Sequence, residues 1–266
     1  MQLAIGTCFD YQVAIIQQLT EIAATPFQIV SLGGDAGHSG YLTPFGRERL
    51  LNLSRQADIA IDSLHVPLTA KYDLACSNAQ SRMAALCRVA LCLEAAAELG
   101  ATTAILHLSS FDPSIPRDRN SLMTSLAALI ETAEKMKIRV AAENLWDRQS
   151  LQFLHEALAE YRSDYFGFCY DSSHDQLSES PPYAILEQYI DRLSALHLSD
   201  NDGQDDRHWL PFTGIVDWER ICRVLRAGGY SYPLLLEVEN SDGLETRDFL
   251  KRASDAAIRL QEMILG

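Results

Sequence analysis

Eight short apolar runs recur along the chain, at residues 3–7, 28–32, 57–66, 102–108, 139–145, 165–171, 193–198 and 233–238. Turn residues bound each run, and the lengths predict strands. The runs are too apolar to leave either face to water, which points to a parallel sheet covered by helices on both sides. Helical periodicity fills the gaps. Residues 79–99 place Met83, Leu86, Cys87, Ala90, Leu93 and Ala97 on one predicted core face. The last segment does the same with Phe249, Leu250, Ala253, Ala257, Leu260 and Ile264. Ser180 ahead of Pro181 and Pro182 predicts the start of a helix over 184–190. Asp217 should cap the helix carrying Trp218, Ile221 and Leu225, and Gly228-Gly229 should stop it. Eight such strand–helix units in about 250 residues have the size of a closed (β/α)8 TIM barrel. A doubly wound open sheet is the alternative, but the turn after its first strand should be rich in glycine, and Gly6-Thr7-Cys8-Phe9-Asp10 has one. No linker or shift in composition divides the chain, so 1–266 is read as a single α/β domain.

Composition narrows the class. Forty-seven per cent apolar residues suits a globular protein with a sizeable core. Twenty-two basic residues against 36 acidic ones give a formal charge of −14, a field that repels nucleic acid. The start, Met1-Gln2-Leu3-Ala4-Ile5-Gly6, has neither the basic region nor the long apolar run of a leader, and reads as a first strand. No run is long enough to span a membrane. The six cysteines are scattered without a Cys-x-x-Cys pair, as expected for free thiols in a reducing cytoplasm.

Chemistry gathers where the runs end. The stretch from Ser194 through His197 to Asp200 and Asp202 carries an apolar run into a histidine and then into a loop of carboxylates, with Asp205, Asp206 and His208 following. The other runs from the third onward end similarly, in His65, His107, Glu143, Asp171 and Glu237. In a barrel these positions lie at the C-terminal face, where active sites are built. Any one of them alone is unremarkable as a hydrogen-bonded core residue. Two glutamates, an aspartate and three histidines on six apolar strands would together carry a large burial penalty unless a cation compensates. Mixed nitrogen and oxygen donors suit manganese, cobalt, magnesium or zinc.

The pattern resembles the xylose isomerase-like TIM barrel superfamily, which includes sugar isomerases and epimerases, dehydratases and the endonuclease IV type of apurinic endonuclease. Its most specific pieces here are Asp171-Ser172-Ser173-His174, His197-Leu198-Ser199-Asp200 and Asp206-Arg207-His208. The resemblance implies Glu143, Asp171, His197 and Glu237 as the shared metal ligands. It also matches His65, His107, His174, Asp206 and His208 to the additional ligands of the three-zinc nuclease, so one ion is expected and up to three are accommodated. A small-molecule carbohydrate is the expected partner: a sugar, a sugar phosphate, or a related polyol or keto acid. A membrane or nucleic acid is not expected, and relatives are often homo-oligomers. By the same resemblance Glu143 and Glu237 would act as ligands and as acid and base on either side of a metal-bound enediolate. The two other readings are a trinuclear zinc phosphodiesterase acting on abasic DNA and a non-catalytic carbohydrate binder.

Further candidates surround this set. His174 is expected to contact a substrate hydroxyl, with His65 and Trp146 as further substrate contacts and Trp146 or Phe9 walling the sugar ring. The turn Gly33-Gly34-Asp35-Ala36-Gly37-His38 offers a weak phosphate cradle. Arg117, Arg119 and Arg148 are rim candidates for an acidic tail, and His155 reads as a helix-surface residue. Residues 211–218, Pro-Phe-Thr-Gly-Ile-Val-Asp-Trp, resemble a segment that usually reads Pro-Gly-x-Gly in sugar-isomerase relatives, with Phe212 standing in for the first glycine.

Overall fold

A computed structural model describes residues 1–67, 73–110, 112 and 114–266. The apolar runs form strands β1 (Leu3–Gly6), β2 (Ile29–Leu32), β3 (Ala60–His65), β4 (Thr103–Leu106), β5 (Arg139–Glu143), β6 (Phe166–Asp171), β7 (Leu193–His197) and β8 (Leu234–Leu236). All pair in parallel in the order β7-β6-β5-β4-β3-β2-β1-β8. The ring closes just beyond the strand ends. Leu198 N donates to Leu235 O at 3.1 Å, and Glu237 N donates to Leu198 O at 3.2 Å. The result is a (β/α)8 TIM barrel.

Each strand sends alternate side chains to its two faces. The outward set packs under the helices as one large core. The inward set is a separate small cluster of Ala4, Ile29, Ile105, Ala141, Cys169, Ala195 and Leu235. Small residues recur in that inner layer because eight strands leave a narrow interior that side chains must fill.

The principal outer helices are α1 (Ile15–Ala23), α3 (Pro44–Ala57), α4 (Ala79–Leu99), α5 (Arg119–Met136), α6 (Arg148–Glu160), α9 (Trp218–Ala227) and α10 (Thr246–Leu265). Shorter helices α2 (Ala36–Ser39), α7 (Ser172–Leu177) and α8 (Ala184–Gln188) lie in the connections. Side-chain oxygens cap most of the long ones: Thr43, Asn78, Asp118, Asp147 and Asp217 each accept a backbone N–H two or three residues ahead. Asp217 thus caps α9 as its sequence position predicts, and the chain turns at Gly229 with φ of 66°.

Three local expectations change. Helix α4 has the predicted bounds but a rotated buried face: Leu93 is buried as expected, joined by Ala85, Val89, Cys92, Ala96 and Leu99, while Met83, Cys87 and Ala97 of the predicted stripe are exposed. So many apolar residues surround this helix that periodicity alone could not choose the stripe. Ser180 does not cap α8, which starts from Tyr183 in the left-handed region, at φ 69°. The third run is shortened because Ala57 ends α3 and Asp58 turns the chain at φ 54°. Helix α10 buries all six residues that its pattern selects.

Among the described residues no helix is long and apolar enough to cross a membrane. All six cysteines are free thiols.

Candidate metal centre

The inner layer positions the site. From β4 onward, two residues beyond each inward apolar residue, on the same side of the strand, stands a polar one. Ile105 leads to His107, Ala141 to Glu143, Cys169 to Asp171, Ala195 to His197 and Leu235 to Glu237. Buried Ser63 leads in the same way to His65. The period of two that packs the barrel floor therefore stacks six metal-type side chains at its mouth. The corresponding positions are small in the first two strands: Gly6 in β1 and Ser31 in β2.

One donor atom each from Glu143, Asp171, His197 and Glu237 lies within 4.8 Å of the others, and His65 forms a second such group with Glu143 and His197. His197 Nδ1 is 3.1 Å from Glu143 Oε1 and 2.9 Å from Glu237 Oε2. Those separations are a few tenths of an ångström shorter than the roughly 3.3–3.6 Å that ligand atoms keep on one cation with bonds of about 2.0–2.2 Å at tetrahedral angles, so small side-chain shifts would seat an ion. Glu143 is nearly enclosed, with a side-chain exposure of 1%, against 2% for His197 and 14% for Glu237.

Three buried polar atoms of this group lie outside any aligned hydrogen bond. Asp171 Oδ1 accepts the His174 backbone N–H at 2.7 Å and so caps α7, while its Oδ2 is buried and unpartnered. Glu143 Oε1 and His197 Nδ1 are likewise buried without hydrogen-bond alignment to any group. Three orphaned donors converging from three strands are costly by themselves and fit a divalent cation. The charges here also compensate one another: against its burial, Glu237 and Glu143 raise His197 well above the ordinary histidine value. Burial pushes Asp171 up to about 7, opposed by His174 and reinforced by Glu143, Asp206 and Glu237. Burial works against ionised Glu237 and Glu143 as well, but His197 holds both down, Glu237 to about 2. His107 is pushed down by burial, with Glu143 opposing.

A second layer fixes these groups. Asn144 Oδ1 accepts from Asp171 N at 2.8 Å and its Nδ2 donates to Asp171 O at 3.0 Å, clamping the end of β6. The His174 and His208 Nδ1 atoms sit 2.8 Å from Asn144 O and 3.1 Å from Glu237 O. Their Nε2 atoms both meet Asp206 Oδ2, at 3.1 and 3.0 Å, and Asp206 Oδ1 accepts from Ser173 Oγ at 2.8 Å. Burial disfavours the charged rings, yet Asp171 and Asp206 bring His174 up to about 10, and Asp206 and Glu237 bring His208 up to about 11. Asp200 anchors the loop above, taking the Val216 N–H and, at 2.9 Å, the Trp218 indole N–H. Asn144 and Asp200 were not among the candidates. Only their adjacency to Glu143 and to the His197 run could have signalled them.

The remaining candidates divide. His65 and His107 reach Glu143 Oε2 at 3.2 and 3.4 Å. Trp146 lies against His174, with ring centroids 4.9 Å apart. His107, His174, Asp206 and His208 do not gather into a compact donor group of their own among the described residues. Phe9 is not a wall of the site but core, 2% exposed and stacked on Phe249. The glycine-rich turn is not an open cradle either: Asp35 Oδ1 takes the N–H groups of Gly37 and His38, Thr7 Oγ1 takes that of Gly33, and Tyr11 takes that of Asp35. Arg117 is spent on Ser110 O, and Arg119 pairs with Glu156 and Glu160, whereas Arg148 is exposed. His155 is half-buried on α6 and meets the Tyr189 hydroxyl at 2.8 Å.

A parallel barrel with a carboxylate–histidine cluster at its C-terminal mouth defines a class, and the comparisons agree. The chain belongs to the xylose isomerase-like TIM barrel family, whose model matches residues 19–262. The uncharacterized protein y4fM of Sinorhizobium fredii is 32% identical over 182 residues, covering 65% of this chain and 58% of that protein. The chain thus spans less than two thirds of that relative's length. A D-tagatose 3-epimerase-like protein superposes with a TM-score of 0.83 at 18% identity, covering 100% of this chain and 98% of that one. The IOLI protein, solved with a zinc atom, superposes with a TM-score of 0.83 at 14% identity over 98% of each chain. At these identities the two structures share the fold.

Proposed function

We propose that this chain is a divalent-metal-dependent isomerase or epimerase of a small carbohydrate, with Glu143, Asp171, His197 and Glu237 as metal ligands. The gathering of buried Glu143, Asp171 and His197 with Glu237, three of them carrying a polar atom outside any aligned hydrogen bond, carries the reading. The family and the D-tagatose 3-epimerase-like neighbour supply the carbohydrate.

A divalent ion held by these residues would supply Lewis acidity toward a carbonyl and its neighbouring hydroxyl, acidifying the proton on the hydroxyl-bearing carbon next to the carbonyl. The protein does the rest. Glu143 and Glu237, on β5 and just beyond β8, present carboxylates to that point from different strands, so one removes the proton and the other returns one. Their depressed proton affinity keeps both ionised near neutrality, as a base requires. His174 spends both ring nitrogens on Asn144 O and Asp206, so it meets the substrate through its ring rather than through an N–H, with Trp146 packed beside it. His65 and His107 support Glu143 through its other oxygen.

The test is elemental analysis of protein purified without chelators, followed by deuterium incorporation from D2O into a panel of ketoses. One ion per chain, lost in Glu143→Gln and Glu237→Gln, is expected, with exchange falling about a hundredfold or more in either variant. Three zinc ions and cleavage of an abasic duplex would replace this reading with the phosphodiesterase. Metal and sugar binding without exchange would replace it with the carbohydrate binder.

A further inference from the structure

The four proposed ligands stand on consecutive strands: Glu143, Asp171 and His197 end β5, β6 and β7, and Glu237 lies just beyond β8. They occupy one half of the ring. The other half is β1 to β4, with β1 four strands from β5 and so across the mouth from Glu143. On that half His65 and His107 turn to Glu143 Oε2. A molecule that approaches the cluster from inside the mouth therefore lies against β1 and β2.

What β1 presents there is not a side chain of its own. Gly6 follows inward Ala4 by two residues and has none, and the Cys8 thiol takes the place: a Cβ at Gly6 would lie 2.9 Å from Cys8 Sγ. Cys8 sits in the short 3-10 turn Thr7–Phe9, and it is partly exposed where both neighbours are buried. The glycine-rich turn after β2 holds it. A Cβ at Gly33 would lie 3.1 Å from Cys8 Cβ and 2.5 Å from the Tyr11 hydroxyl, so a side chain there would displace Tyr11 and press on Cys8. Burial pushes the Cys8 thiol well up, and the carboxylates of Glu237, Glu239 and, more weakly, Glu143 add to it. The two carboxylates proposed as acid and base thus both act at this sulfur, one from the adjacent strand and one from across the mouth. The same mouth holds Glu143 Oε1 and His197 Nδ1, buried and outside any aligned hydrogen bond. A protonated thiol beside them is a small, uncharged, polarizable surface.

We infer that Cys8 is a specificity-determining residue of this site: its thiol, in the place of the missing Gly6 side chain, is the wall against which the carbon frame of the substrate lies. The inference rests on the proposed function and adds a substrate contact to it.

The test is calorimetric binding of a panel of ketoses to the metal-loaded full-length protein, with deuterium incorporation from D2O followed for the same sugars. Cys8→Ala, which removes the sulfur, should weaken binding and raise KM by about threefold or more, with kcat and metal stoichiometry held. Cys8→Val, one carbon larger, should reorder the panel, changing the preference between two ketoses by about tenfold. Cys8→Ser keeps the size and should fold in any case, with an intermediate loss of binding. Variants that keep the wild-type affinities, KM values and order of preference overturn the inference. A fall in kcat alone, or loss of the metal, also overturns it, because the thiol would then act on the carboxylates and not on the substrate. If the metal-loaded wild type neither binds nor exchanges any ketose, the proposed function falls and takes this inference with it; binding and exchange that are blind to Cys8 remove this inference alone.

Discussion

Phe212 shows how a single residue can hold a loop against its own backbone preference. It stands where the related segment has glycine and keeps a glycine-like backbone, at φ 72°. For a residue with a Cβ that conformation costs about 1–2 kcal/mol. Its ring offsets the cost by packing 5.7 Å from Trp218 and lying 3.8 Å from the Arg259 guanidinium, contacts of about 0.5–1.5 kcal/mol each. Phe212→Ala should therefore be less stable than Phe212→Gly by about 1 kcal/mol, because alanine loses the ring and keeps the strain. Equal stabilities in chemical denaturation would refute the strain. His208, at φ 48°, turns in the same region while its ring is held by Asp206 and Glu237 O, so this loop concentrates unusual backbone beside the candidate site.

At the scale of elements, α4 and α5 give separable tests. Leu93 of α4 is fully buried and Met83 is 60% exposed, although one periodic stripe contains both. Leu93→Ala should cost about 2–5 kcal/mol in denaturant unfolding, and Met83→Ala should stay within about 0.5 kcal/mol. Equal costs would restore the face read from the sequence. Helix α5 begins at Asp118, whose carboxylate accepts Ser121 N, Ser121 Oγ and Ser77 Oγ, each at 2.8 Å. Those bonds hold its carboxyl below the usual range. Asp118→Ala should cost about 1 kcal/mol at neutral pH. The folded value is the depressed one, so this contribution is complete above the unfolded carboxylate value and is lost as pH falls through the folded value. The gap in stability between wild type and variant should accordingly close in acid. A constant gap would mean that the capping bonds do not depend on the ionised carboxylate.

The whole molecule carries a formal charge of −14 and concentrates three carboxylates where its barrel opens. Filling that point with a cation should stabilise the fold by mass action, by about 2.7 kcal/mol at a free metal concentration of 100 Kd. Melting temperature should rise with added manganese, cobalt, magnesium or zinc and fall back on chelation, and Glu143→Gln should flatten the response. A melting temperature indifferent to all four metals would contradict the proposed centre.

Much of this was written along the chain. Apolar strands buried on both faces point to a covered parallel sheet, and eight runs at this spacing, with a single glycine in the turn after the first, favoured the closed barrel over the doubly wound sheet. The same alternation that makes Ala141, Cys169, Ala195 and Leu235 inner residues determined that Glu143, Asp171, His197 and Glu237 would face inward at the mouth. Tertiary structure alone decided what periodicity leaves degenerate or distance hides. Periodicity could not choose the buried stripe of α4, because apolar residues surround that helix. Spacing could not show that Asp35 already takes the amides of the glycine-rich turn, or that Phe9 belongs to the core. Nor could it show the clamp of Asp206 on His174 and His208, or the Cys8 thiol beside Glu237. Each depends on where side chains distant in sequence meet, and hydrogen-bond partners and close contacts exist only once the chain has closed on itself.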